Sequence, residues 1–411
     1  MISRRSIAAL ATCGFLAHCA SEGSSVRDAY EIGGSDSNGS SLDKSSEVDS
    51  ALAKRGPVSF LVTSDVHFGN GVAEHDHDPM EAEEIEEPGR PGALTVLQKN
   101  QLAADAIALA ASPASAAALA ARGISNKFRG LVVTGDVTED GQADQWREFV
   151  DTYPKKLGLL GIPVYETAGN HDYAIKPDAN IYKSPNEVFV LSKIAERATQ
   201  ANHPGLLAQT KGGSYAWKWD DVLFINLGVK ASDRNDTMIE AKNGSGFRNT
   251  NPFSSLTFLK NTLRKYGNSS SRIILSFHYP MVAGDHRMTF FERLGLYEAL
   301  KGYPVAAILH GHRHKSDLYS WCGIPVFEAD TPRSLSSQND ASVIAVEVSG
   351  YYLTAQTIHF RQGDTGKVKV GLDPVNCDPK KEDSYCWSFR KKLSTISLDG
   401  QCDIQKTVSL R

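Results

Sequence analysis

The sequence predicts an α/β fold in which two β-sheets pack together with helices on their outer sides. Three observations carry this reading: short β-rich runs alternate with helical stretches from Pro57 onward, the later runs follow one another as hairpins, and 411 residues at 41% hydrophobic content can bury a large core.

The first apolar run is "PVSFLVTSDV", beginning at Pro57. An Ala-rich segment near 94–121 reads as helix, with its alanines as helix filler rather than a functional motif. "GLVVTGDV", a helix near 142–157 and "GIPVYETAGNH" complete a strand, helix, strand, helix, strand series, which is an α/β sheet with crossover helices. "GGSYAWKW" and "DVLFINLG" are two strands joined by a tight Asp220-Asp221 turn; Trp217 and Trp219 share one face of the first and read as packing residues. A helix near 253–266 leads to "RIILSFHYP", and a second near 289–301 leads to "VAAILHGH". "IPVFEADT", "SVIAVEVS" and "YYLTAQTIHF" follow, so the second half is richer in hairpins. No internal repeat is visible.

Four segments are expected along the chain: 1–19, 20–56, 57–361 and 362–411. Arg4 and Arg5 precede an apolar run from Ile7 to Leu16, which suits a signal-peptide core and is too short to span a bilayer. Ser3-Arg4-Arg5-Ser6-Ile7 also resembles a twin-arginine export signal. Leu16-Ala17-His18-Cys19 resembles a bacterial lipoprotein cleavage box, with Cys19 as the lipidated residue and His18 departing from the small residue expected there. Residues 21–50 hold ten serines and four glycines and few large apolar side chains, so they read as a tether that cannot fold. The expectation is an exported protein of the bacterial envelope, periplasmic or at the cell surface, anchored to the membrane through Cys19. Cys322, Cys377, Cys386 and Cys402 remain after the signal. An oxidising compartment permits two disulfides in any of three pairings, and the clustering of three of these cysteines near the end favours a stapled C-terminal tail.

A net charge of -4 and an isoelectric point near 6.3 provide no basic field for a polyanion, so nucleic acid is not expected as the main partner. The chemistry lies elsewhere. Asp65 and His67 follow the first apolar run, Asp136 the second, and Asn170, His171 and Asp172 the third; His278 follows "RIILSF", and His312 with His314 follow "VAAIL". Taken singly, such residues have structural readings as turns, caps or hydrogen-bonded histidines. Carboxyl ends of strands in open α/β folds converge on a common crevice, however, which predicts one pocket lined by Asp, Asn and His. That ligand mixture suits Mn, Fe or Zn, and the lack of thiolates argues against a structural zinc site.

Together Asp65-Val66-His67, Gly135-Asp136, Gly169-Asn170-His171-Asp172, His278 and Gly311-His312-Arg313-His314 resemble the calcineurin-like metallophosphoesterase family. Purple acid phosphatases, nucleotidases and class III cyclic-nucleotide phosphodiesterases belong to that family. The resemblance covers about residues 57–360 and implies a four-layer α/β/β/α sandwich with two divalent or trivalent transition metal ions. Asp65, His67 and His314 would hold the first metal, Asn170, His278 and His312 the second, and Asp136 would bridge them. A hydroxide between the metals would attack phosphorus in line, with His171 as general acid, Asp172 orienting it, and Asn170 also touching substrate. His310 points to the opposite side by strand alternation and reads as structural. Purple acid phosphatases have Gly two residues after the first Asp and a Tyr ligand three residues after the bridging Asp, where His67 and Glu139 stand here. The tyrosinate-to-iron colour is therefore not expected.

Specificity signals are sparser. Glu74 to Pro88 carries eight carboxylates and two histidines and reads as a solvated acidic loop, with a substrate-repelling or metal-loading lid as the alternative. His286 and Arg287 follow His278, and Arg287 is a candidate for gripping a substrate phosphate. His203 and His359 lie outside every motif and are expected to be structural or exposed. The expected activity is hydrolysis of small phosphomonoesters. The alternatives are a phosphodiesterase acting on cyclic nucleotides or phospholipid headgroups, a catalytically silent surface binding protein on the same fold, and a structural envelope component, which would leave the convergent ligands unexplained.

Overall fold

The run from Pro57 becomes β1 (Val58–Thr63), buried along its whole length as a central strand of a doubly covered sheet must be. The computed structural model describes residues 56–69, 94–173, 189–233, 238–240, 247–249, 254–282, 285, 287–335, 340–362, 368–371, 387–393, 396, 398, 400 and 402–410. Cys19, the tether up to residue 55, the acidic stretch Glu74 to Pro88, His286, Cys377 and Cys386 lie outside these residues.

After β1 come α1 (Val96–Ala110), α2 (Pro113–Ala120), β2 (Phe128–Val133), α3 (Ala143–Val150) and β3 (Val164–Glu166). Thr95 starts α1 with a reciprocal capping box to Gln98. The helix expected near 142–157 is α3 continued through a π-helical turn at Asp151–Lys155 that accommodates Pro154. Next are α4 (Phe189–Arg197), β4 (Leu206–Gln209), β5 (Tyr215–Trp219), β6 (Val222–Asn226), β7 (Met238–Glu240), β8 (Phe247–Asn249), α5 (Ser255–Tyr266), β9 (Arg272–Ser276) and α6 (Phe290–Leu300). The chain ends with β10 (Val305–His310), β11 (Asp317–Trp321), β12 (Ile324–Glu328), β13 (Ala341–Val348), β14 (Tyr352–Gln362), β15 (Val368–Gly371), β16 (Ser388–Lys392) and β17 (Val408–Ser409).

Two large sheets result. The first has the order β15-β14-β13-β1-β2-β3, with β16 beside β15 along β14; the second has the order β17-β11-β12-β10-β9-β6-β5-β4. β1, β2 and β3 run parallel, as do β6, β9, β10 and β12, so each sheet presents a row of carboxyl ends. The sheets meet face to face: Phe60 of β1 packs edge-on against Phe224 of β6 at 5.1 Å, and Tyr165 of β3 stacks on Trp217 of β5 at 4.5 Å. Trp217 and Trp219 are buried in this interface, as expected of packing residues. Helix α1 packs against β14 and β15 of the first sheet, and α5 packs against α6 and β6 of the second.

α4, β4 and the edge strands are short and lie outside the elements expected from the sequence. The expected boundary at 361 falls inside β14. Beyond it, β15 and β16 extend the first sheet while β17 extends the second. Trp387 stacks on Phe327 with ring centroids 5.6 Å apart, and Trp321 donates its indole N–H to the Ile404 carbonyl. Cys402 is bonded to Cys322, which closes a loop of 80 residues and selects one of the open pairings. Closing a loop of that size stabilises by about 4 kcal/mol through the unfolded chain. Cys402→Ser should therefore lower unfolding free energy in urea by about 2–4 kcal/mol. A reductant should lower the stability of the wild type by at least as much.

Candidate metal centre

Three chain crossings place the ligand candidates. β1 and β2 are adjacent and parallel, so the loops after them run side by side: Asp65 N–H donates to the Gly135 carbonyl at 3.0 Å and His67 N–H to the Asp136 carbonyl at 2.9 Å. β9 and β10 are likewise parallel neighbours in the facing sheet, which brings His278 and the 311–314 loop to the same edge. His312 N–H then donates to both Asp65 carboxylate oxygens at 2.9 and 3.1 Å, tying one sheet's loop to the other's.

The backbone at this edge is unusual. Among the described residues, eight non-glycine residues have positive φ, and five of them are Asp65 (51°), His67 (42°), Asp136 (48°), His312 (82°) and His314 (53°). Left-handed backbone costs an L-residue about 1–2 kcal/mol, so its concentration at five predicted ligands marks geometry held against local preference. Space is equally restricted. A Cβ on Gly135, itself at φ 115°, would lie 2.3 Å from His278 Nδ1, and one on Gly311 would lie 2.4 Å from an Asp65 carboxylate oxygen. Gly135→Ala is expected to push His278 out of place and weaken metal binding about 10- to 100-fold, read by titration against a chromogenic chelator.

Three sets of donor atoms converge here, each with its ligand atoms within 4.8 Å of one another: Asp65, His67 and His314; Asp136, His278 and His312; and His67, Asp136 and His171. His278 Nδ1 lies 3.0 Å from the Thr134 carbonyl, which only accepts, so Nδ1 carries the proton and Nε2 presents a lone pair. That lone pair faces Asp136 Oδ2 at 3.0 Å, Asn170 Oδ1 at 3.0 Å and His312 Nδ1 at 3.2 Å. His67 Nδ1 lies 2.8 Å from Glu139 Oε2, which directs Nε2 inward to 3.1 Å from His314 Nε2. His314 Nε2 is also 3.3 Å from Asp65 Oδ1. Lone pairs pointed at each other in a buried site call for a cation between them, so these residues fit a pair of metal ions.

The charges show the same demand for positive charge: burial lowers the His278 imidazole, but Asp136 facing it raises it overall, so a cationic partner is favoured at Nε2. Burial would raise the Asp136 carboxyl, but His278 and then His171 facing it hold it well below the usual carboxylate range. Glu139 is similarly held down, against its burial, by His171, His67 and Arg333. Burial, then the charge of Arg287, pushes His312 well below the usual imidazole range, as a neutral ligand requires. The Arg287 guanidinium itself lies 3.2 Å from an Asp285 carboxylate oxygen.

His171 sits beside the centre. Its backbone N–H donates to Asp136 Oδ1 at 2.9 Å, and its ring meets that of His67 edge-on at 4.5 Å. The Asp172 expectation needs correction. Asp172 accepts from the Val137, Thr138 and Gly169 N–H groups and from the Thr138 hydroxyl, so it pins the loops after β2 and β3 together. The group that orients the His171 ring is Glu139, whose carbonyl lies 3.0 Å and carboxylate 3.6 Å from Nδ1. Glu139 stands three residues after Asp136, but its partners are non-local. His310 uses Nδ1 on the Gly311 carbonyl and Nε2 on the Tyr319 hydroxyl, in keeping with a structural role. His203 and His359 are buried.

Two facing α/β sheets whose strand ends present this cluster define a protein built to hold a metal pair at one edge. The sequence profile of the calcineurin-like phosphoesterases matches residues 58–316, and the chain belongs to that family. No curated protein matches the chain. Among solved structures, a dimetal phosphatase from Danio rerio is 13% identical, with 76% of this chain and 98% of that one covered at a TM-score of 0.48. A purple acid phosphatase from yellow lupin (Lupinus luteus) seeds is 9% identical, with 86% and 57% covered at 0.46. The Plasmodium protein GAP50 is 13% identical, with 77% and 88% covered at 0.43.

Proposed function

We propose that this protein is an exported, metal-dependent phosphomonoesterase. The observation that carries the reading is the pair of ligand groups meeting at Asp136 with His171 held beside them. Asp65, His67 and His314 would hold one ion, Asn170, His278 and His312 the other, with Asp136 shared; Mn, Fe and Zn all suit such donors. Bound there, the ions supply positive charge for the phosphoryl oxygens and lower the pKa of attacking water.

The chain's own residues do the remainder. The Glu139 carbonyl keeps the proton on His171 Nδ1, so Nε2 is the nitrogen that exchanges one. As water adds to phosphorus and the P–O ester bond breaks, Nε2 gives its proton to the departing oxygen and the alcohol leaves neutral. Asn170 and Arg287 hold the phosphoryl oxygens.

Export rests on the signal-like N-terminus, the Ser/Gly-rich stretch after Cys19 and the Cys322–Cys402 disulfide, a bond typical of oxidising compartments. Elemental analysis of the purified protein beside turnover of p-nitrophenyl phosphate and bis-p-nitrophenyl phosphate tests the assignment. Bound transition metal and faster monoester turnover are expected. A clear preference for the diester would make the protein a phosphodiesterase, and metal binding without turnover of either would make it a binding protein.

A further inference from the structure

We infer that the segment Glu328–Arg333, from the last residue of β12 into the connector that leads to β13, is the element that positions the metal ligands, with Glu328 and Arg333 as its positioning residues. The inference rests on reading the site as a two-metal centre. It concerns residues beyond 316, where the family profile ends.

The topology requires this crossing. β12 lies parallel to β10 in the second sheet, so it ends beside the loop that carries His312 and His314. β13 lies antiparallel to β1 in the first sheet, so it begins beside the loop that carries Asp65 and His67. The segment from Glu328 to Arg333 touches both loops. Glu328, fully buried, accepts from Arg313 Nε at 2.8 Å and also pairs with Arg313 Nη2. Arg313 stands between His312 and His314 in the chain, so its anchorage to Glu328 fixes the two left-handed residues on either side.

Two further contacts reach the other loop. The Asp330 carbonyl accepts from Ser64 N–H at 3.3 Å, and the Thr331 hydroxyl donates to the Asp65 carbonyl at 2.5 Å. Arg333 Nη1 then lies 3.0 Å from Glu139 Oε2, the same oxygen that holds His67 Nδ1 at 2.8 Å. Carboxylate partners of ligating imidazoles set ring orientation and metal affinity. Here an arginine holds that carboxylate, and the connector supplies it.

A packing role alone and a positioning role predict different measurements. Full-length protein stripped of metal is titrated calorimetrically with Zn2+, and the two binding steps are compared with thermal stability. Arg333→Met should weaken one binding step about 10- to 100-fold and leave the other within about twofold, because the carboxylate it holds, Glu139, is the partner of His67, a ligand of the first ion. Arg313→Met with Glu328→Leu should weaken both steps, because the loop it frees serves both ions. This double variant is expected to keep the fold, since a buried ion pair replaced by apolar residues of similar volume is often tolerated and Asp317, the other partner of Arg313, is partly exposed to solvent. Leu263→Ala, in the buried face of α5, should lower the melting temperature without changing either step. Wild-type affinities in both connector variants would overturn the inference while leaving the proposed function intact. A wild type that bound two ions but hydrolysed no ester would reverse that outcome, and one that bound no ions would end both.

Discussion

Asp136→Ala is expected to release both metal ions and abolish turnover in one step. The carboxylate contacts both halves of the centre: Oδ2 is 3.0 Å from His278 Nε2 and 3.7 Å from His67 Nε2. Removing it leaves each ion short of a charged ligand and leaves the ions unscreened from each other. Asp136 Oδ1 also accepts the His171 N–H at 2.9 Å, so the general acid loses its tether as well. Asp136→Asn separates the two losses, because it keeps the shape and removes the charge. Elemental analysis after gel filtration should find neither ion in Asp136→Ala. Retention of both ions would mean that Asp136 does not bridge.

His171→Ala should retain both ions and lower turnover roughly 100-fold to 10,000-fold, the range for loss of a general acid. The leaving group makes the prediction more specific. An alcohol such as glycerol departs poorly without a proton, whereas p-nitrophenolate departs readily, so the deficit should be larger with glycerol phosphate than with p-nitrophenyl phosphate. His171 does lie within ligand distance of His67 and Asp136, so a direct metal role is a concrete rival. Loss of metal from His171→Ala would support that rival, and an equal deficit on both substrates would remove the proton-transfer assignment.

Glu139 shows where sequence reading stops. Its spacing from Asp136 distinguished this chain from the tyrosine-ligated phosphatases, yet nothing local indicated that it would meet His67, His171 and Arg333, the last 194 residues away. Asp172 misled for the converse reason. Adjacency to His171 implied a partnership, but the turn at His171–Tyr173 directs its carboxylate back to the β2 loop. The cysteines show the same limit, because a pairing across 80 residues depends on where the β11–β12 turn and the tail meet.

The sequence by itself determined the parallel strand cores, the crossover helices and the placement of Asp65, Asp136, Asn170, His278, His312 and His314 at strand ends. These follow from hydrophobic period and from polar residues that interrupt it, both of which are local. Tertiary structure alone decided which side chains hold those ligands in place: Glu139 behind His67 and His171, Glu328 behind Arg313, and Arg333 behind Glu139. Such contacts depend on the register of two sheets and on the path of one connector between them, and side-chain polarity along a single segment carries no record of either.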